Sequence, residues 1–230
     1  MAVLVDDHYK VHPTVQHRFS PYAQNGGTVV AVAGEDFSVV GCDTRLSEGY
    51  SILSRDVSKV KKMTKSGLLG CVGFHGDVLT LTKSLDARLK QYKHTHGKDM
   101  SCEAMAQMLS STLYYRRFFP YWVYNMVAGI DNNGKGCVFS YDPVGSYERE
   151  TYRASGSASA IIQPLLDNQL GYKNQSNVDP TPLSRDRART MVRDIFAAAS
   201  ERDIYTGDEV EISVVDANGI ETQRFPLRSD

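Results

Sequence analysis

Polar residues able to do chemistry together are scattered through this chain. They are Thr28 after Gly26-Gly27, Asp43 in Asp43-Thr44-Arg45, Lys59, Ser157 after Gly156, and Asp203-Ile204-Tyr205-Thr206. These types suit hydrolysis by a hydroxyl nucleophile, which needs a hydroxyl, a nearby base, a group tuning that base, and donors for the oxyanion. Each residue alone has a plainer use. Asp43 can end a strand and Ser157 can cap a helix, as such polar residues usually do at surfaces and termini. Other chemistries fit less well. His75 and Asp77 share one short turn, and the pattern G-x-S-x-G is absent, which argues against a Ser-His-Asp triad. Cys42, Cys71, Cys102 and Cys137 contain no C-x-x-C pair, so neither a zinc site nor a disulfide framework is expected. No metal or other cofactor is expected.

The elements that must position these groups can be read from hydrophobic period. Val29–Val32 and Phe37–Val40 read as two strands joined at Gly34-Glu35-Asp36, and a second strand pair is expected across 51–63 and 68–74. The period then changes to about 3.6. Val78, Leu81, Leu85, Leu89 and Tyr92 form one stripe, with Asp77 as the expected N-cap and Gly97 as the stop. Ser101 caps a second helix carrying Met105, Met108, Leu109, Thr112 and Leu113, which should end before Pro120. Strands return at 121–130 and 137–141 around Asp131-Asn132-Asn133-Gly134, a tight-turn sequence. A helix interrupted by Pro164 starts near Ser157, and a strongly amphipathic one runs from about Ser184 to Arg202. Strands at 210–215 and 220–225 close the chain. This order suits two packed sheets with helices outside each.

The 230 residues are 41% apolar and 23% charged, enough for a sizeable core. A net charge of −1 gives no reason to expect nucleic acid or an anionic membrane as partner. Met1–Asp7 lacks a basic n-region, and no apolar run approaches the roughly 18–20 residues that span a bilayer. With scattered thiols, the expected location is cytoplasm and nucleus. Residues 1–26 show no period and read as a leader, not a core element.

The motifs together resemble those of proteasome beta subunits, N-terminal-nucleophile hydrolases with a terminal threonine nucleophile. The resemblance covers about residues 27–215 and implies an α+β fold, a four-layer αββα sandwich. It assigns Asp43 and Lys59 to the acid–lysine pair, Ser157 to the serine beside the terminal amine, Asp203 and Thr206 to the last polar pair, and Gly73 to the oxyanion amide. In the family the nucleophile precedes the Asp by sixteen residues and the lysine by thirty-two. Both counts lead to Gly27, which has no hydroxyl. Thr28 is one residue further on, and a one-residue shift in a strand reverses the side chain. The resemblance therefore implies a built but unarmed site. The alternative is an active protease using Thr28 after cleavage at Gly27-Thr28.

Arg18-Phe19-Ser20-Pro21-Tyr22, Gly73-Phe74-His75-Gly76-Asp77 and Tyr141–Tyr147 resemble a non-catalytic branch of that family. The branch implies removal of residues 1–17 by neighbouring subunits, between His17 and Arg18, leaving one domain over 18–230. It also implies partners: beta subunits in the same ring and the opposite ring, and alpha-ring subunits. It places Asp142 at a neighbouring subunit's substrate cleft. Phe74 and His75 are expected to crowd the cleft beside residue 27, and Leu46, Val57 and Cys71 to shape its pocket. Gly27→Thr is then expected to self-process partially without useful turnover.

Overall fold

The computed structural model describes residues 20–179 and 181–230. His17 and Arg18, with the proposed leader junction between them, lie outside the described residues.

Thr28–Ala33 (β1) and Phe37–Asp43 (β2) are apolar almost throughout. Such a run is what a strand needs when both its faces are covered. Val30, Val32 and Val39 pack toward one helical layer, and Val29, Ala31, Val40 and Cys42 pack toward a second sheet. Leu46–Glu48 (β3) and Ser51–Ser54 (β4) make a small separate hairpin. Val60–Lys62 (β5) and Gly67–Gly73 (β6) begin the second sheet. Two helices follow, His75–His96 (α1) and Cys102–Tyr115 (α2). Then come Val123–Ile130 (β7), Gly136–Tyr141 (β8), Tyr147–Glu150 (β9) and Tyr152–Gly156 (β10). Helices Ser159–Gln169 (α3) and Arg185–Ser200 (α4) precede Glu209–Asp216 (β11) and Gly219–Pro226 (β12).

The first sheet has the order β10-β1-β2-β11-β12 and the second β5-β6-β7-β8-β9, both built from antiparallel neighbours. Three apolar cores separate four layers. One lies under α1 and α2, one under α3 and α4, and one between the sheets, where Val29 and Ala31 meet Leu68, Met126 and Ala128. The α1 stripe buries Val78, Leu81, Leu85 and Leu89, worth about 1.5–3 kcal/mol for each fully buried side chain. Ser38 crosses from β2 to the second sheet, donating to the Gly129 carbonyl at 2.8 Å. This is the αββα arrangement.

Several boundaries depart from expectation. The strand expected over 51–63 is two strands in different sheets, because polar Arg55-Asp56 separates them and Val57 N–H bonds back to the Thr44 carbonyl. Asp77 does not cap α1. Phe74 holds that position without a side-chain bond, and Asp77 accepts the Trp122 amide at 2.8 Å instead. Gly97 does stop α1, at φ +67, and Ser101 caps α2. β9 and β10 carry too few apolar residues to show a period-two pattern. β10 matters here, since it pairs with β1 and sets Gly156 opposite Thr28.

Candidate functional site

The site forms where β1 begins, β2 ends and β10 meets α3. Its centre is Gly27, at φ +85 after Gly26 at φ +64. This left-handed backbone suits glycine, which has no Cβ to collide with the chain. A Cβ built on Gly27 would lie 2.0 Å from Lys59 Cε and 2.8 Å from Lys59 Nζ. The lysine stem therefore fills the space a side chain at 27 would need.

Lys59 is firmly tethered. Its Nζ donates to the carbonyls of Asp43 and Arg45, at 2.9 and 2.7 Å, and lies 3.1 Å from Asp43 Oδ1. The two side chains are 6% and 0% exposed. Complete burial raises the Asp43 pKa, opposed by the Lys59 ammonium and by the N–H of Thr28, which donates to Oδ1 at 2.8 Å. Burial likewise pushes the neighbouring Cys42 thiol up to about 12, which leaves it unreactive.

Thr28 is on the other side of the strand from Lys59. Its hydroxyl lies 2.8 Å from that of Thr206 and accepts the Ala158 amide at 3.1 Å. Thr206 gives its one proton to Asp203 Oδ2 at 2.6 Å, so Thr28 is the donor to Thr206. Ser157 also donates to Asp203 Oδ2 at 2.6 Å, and its amide holds the Gly27 carbonyl at 3.0 Å. The structure thus brings Gly27, Asp43, Lys59, Ser157, Asp203 and Thr206 into one cluster, with Gly73 in the wall of the adjoining cleft. Among the described residues no hydroxyl bonds to Lys59, and the Thr28 hydroxyl is bonded on both sides, so the cluster links β1, β2, α3 and the 203–208 loop.

That cleft has a volume of about 420 Å³, and Gln24, Gly27, Gly73, Trp122, Tyr124 and Ser157 are among its lining. Phe74 and His75 are not in its wall, contrary to expectation. The chain turns into α1 there, carrying Phe74 edge-on to Tyr22 and tying the His75 amide to Asn25 Oδ1 at 2.8 Å. Leu46, Val57 and Cys71 do not line the cleft either; Cys71 is buried in the core beneath α1 and α2. The bulk at the cleft comes from Trp122 and Tyr124. His75 and Asp77 form no dyad, since Asp77 is committed to Trp122, and burial together with Lys61 and Lys59 lowers the His75 pKa.

Residues 20–26 are another correction to the sequence reading. Asn25 is buried, donates to the Ser47 carbonyl and accepts the His75 amide. Tyr22 donates to the Pro120 carbonyl at 2.8 Å and packs on Trp122 and Phe119. These contacts are single side-chain events without period, so no pattern marks them. Gly27→Thr also needs revision, because threonine at 27 cannot coexist with Lys59 where it lies.

Asp208 was missed as well. Its carboxylate binds Arg45 Nε at 2.9 Å and Arg55 Nη1, while Arg45 reaches the Ile204 carbonyl. The Arg of Asp43-Thr44-Arg45 thus holds the loop carrying Asp203 and Thr206. Burial raises the Asp208 pKa, but both guanidiniums overcome it and hold the carboxyl below its usual range. A depressed carboxylate stabilises the fold above its unfolded pKa, about 3.9, and ceases to as pH falls through the folded value. Asp208→Asn keeps a residue that tolerates the local φ of +69. It should cost about 3 kcal/mol at neutral pH, the low end for breaking a buried pair. Urea unfolding of both proteins should show the difference vanish at acid pH.

Asp142 lies in the β8–β9 turn, far from this cluster in sequence. Its Oδ1 accepts the amides of Val144 and Ser146, at 3.0 and 2.8 Å, and its Oδ2 has no partner among the described residues. All four cysteines are buried and free. Among the described residues no cluster of His, Cys, Asp and Glu could hold a metal ion, and no helix is long and apolar enough to cross a membrane.

Comparison with known proteins agrees with this architecture. A family model described as "Proteasome subunit" matches residues 23–215. The chain is 59% identical over 216 residues to proteasome subunit beta type-1 of Danio rerio, covering 94% of this chain and 91% of that one. It is 53% identical to the protein of that name from Arabidopsis thaliana, covering 94% of this chain and all of the relative. The Drosophila melanogaster protein of the same name is 51% identical, over 95% and 94% of the two chains. With a family model spanning most of its length and relatives this close, the chain belongs to the proteasome subunit family.

Proposed function

We propose that this chain is a beta subunit of the 20S core particle that supplies architecture rather than catalysis. The observation that carries the reading is Gly27, with the Lys59 stem in the space of its missing side chain. Lys59 and Asp43 then act as a buried ion pair at the junction of the strands. The Thr28 hydroxyl, the other candidate nucleophile, is committed to Thr206 and Ala158. A ring built from heterologous contacts closes only when every wedge is present, so a wedge without a nucleophile is still required. Its partners are beta neighbours in the same and the opposite ring and alpha-ring subunits. The free, buried thiols suit a reducing compartment, cytoplasm and nucleus. Removal of residues 1–17 falls to an active neighbour, since the chain has no nucleophile to cut itself, and leaves a single domain beginning at Arg18.

The test is mass spectrometry on the particle that contains this chain, before and after an electrophilic peptide inhibitor that modifies terminal threonines. The chain should occur beside many different subunits, begin at Arg18 and carry no adduct. A stoichiometric adduct on Thr28 would refute the architectural reading.

Asp142 belongs to the same proposal, as a group presented to a neighbour's substrate cleft. One of its oxygens stabilises its own turn and the other is free to act outward. Asp142→Ala should change cleavage by one neighbouring active subunit by several-fold and spare the others. Equal loss of all activities would indicate an assembly defect instead.

A further inference from the structure

We propose that the turn joining α2 to β7 is a subunit-docking knob whose partner surface offers carboxylates around an apolar socket. The inference rests on the reading of this chain as a subunit of a mixed particle. The last two residues of α2 and the turn after it read Tyr114-Tyr115-Arg116-Arg117-Phe118-Phe119 and put large apolar side chains into solvent, with Tyr115 87% and Phe118 94% exposed. One exposed aromatic is ordinary, but a run of them marks an interaction surface. Tyrosine, phenylalanine and arginine are also the types enriched at interface centres, where arginine and tyrosine dominate hot spots.

The knob is held in shape. Arg116, Arg117 and Phe119 N–H groups bond to the carbonyls of Leu113, Tyr114 and Arg116, making successive tight turns. Arg116 stacks over Tyr121 at 4.8 Å and Arg117 over Phe118 at 5.4 Å. Phe119 also packs on Tyr22, which joins the knob to the segment 20–26. Such a surface loses little conformational freedom on docking.

Charge identifies the partner. Neither Arg116 nor Arg117 has a carboxylate partner among the described residues, whereas Arg45, Arg55, Arg149, Arg153, Arg185 and Arg224 each do. No Asp or Glu occurs anywhere between residues 104 and 130. The chain as a whole is at −1, so this positive patch is local and not part of a general excess. Arg116 Nε donates to the Phe119 carbonyl at 3.3 Å, which leaves its two terminal nitrogens and the Arg117 guanidinium to meet carboxylates. The complement is therefore an acidic rim that admits Phe118 at its centre.

The test puts a photo-crosslinking aromatic at Phe118 in the full chain and isolates the assembled particle. Irradiation should link residue 118 to one neighbouring subunit, within a stretch containing Asp or Glu. Phe118→Ser and the pair Arg116→Glu, Arg117→Glu should each lower incorporation at least about tenfold, as loss of a hot spot does. Phe118→Ser should move the free chain's melting temperature by less than about 2 °C, since that side chain is exposed. Absence of the wild-type chain from any mixed particle would defeat the functional reading itself. If the wild type assembles, the docking assignment is overturned by crosslinks to a second copy or to nucleic acid, by no crosslink at all, or by near-normal incorporation of the variants.

Discussion

Gly27→Thr is expected to destabilise the chain by about 3–5 kcal/mol and to restore no self-cleavage. Two costs combine. A β-branched residue at φ +85 is far from its preferred backbone, worth about 1–2 kcal/mol. Its Cβ would also fall 2.0 Å from Lys59 Cε, forcing the lysine away from the carbonyls of Asp43 and Arg45 and from Asp43 Oδ1. One-sided disruption of a buried pair costs about 3–5 kcal/mol when complete, and a partial displacement costs less. The new hydroxyl would then stand beside a displaced base. Urea unfolding and intact-mass measurement on the assembled particle check both halves. A fragment beginning at residue 27 would show that the lysine moves aside easily, and the argument from its position would fail.

Lys59→Met should be at least as damaging, at about 3–5 kcal/mol, because it leaves the Asp43 carboxyl buried without its countercharge. The pH dependence distinguishes this from simple loss of packing. Burial raises the Asp43 pKa even in the native protein, and Lys59 is the main group opposing the rise. Without Lys59 the pKa climbs further. A carboxyl whose folded pKa is raised favours the fold at pH below its unfolded value, about 3.9, and that advantage is lost as pH rises through the folded value. The deficit of Lys59→Met should therefore be smallest in acid and grow toward neutrality. Adding Asp43→Asn should recover more than half of it at neutral pH, since the buried charge is gone. A deficit independent of pH would mean that the lysine stem, not its charge, is what the site needs.

The alternation of strand and helix, the apolar faces and the missing hydroxyl at residue 27 are all legible in the amino-acid order. These are local properties. Val78, Leu81, Leu85 and Leu89 announce a helix because the buried face repeats every turn, and Val29–Val32 announce a strand because a short apolar run is bounded by turn residues. Counting from Asp43 and Lys59 to Gly27 needed only the chain and the family resemblance.

What surrounds those residues is set by the folded chain. Lys59 fills the empty place at Gly27, Arg45 finds Asp208 across 163 residues, and Thr28 finds Thr206 across 178. No period in sequence encodes a contact at such separation. The same reason explains the errors at Phe74 and His75. Their size was legible, but whether they faced the cleft depended on where α1 starts and on Tyr22 and Asn25 of the segment 20–26. The tyrosines and phenylalanines of the α2–β7 turn were equally plain as letters. That they stand in solvent follows from α2 ending at Tyr115, where the chain leaves the core before β7 re-enters it.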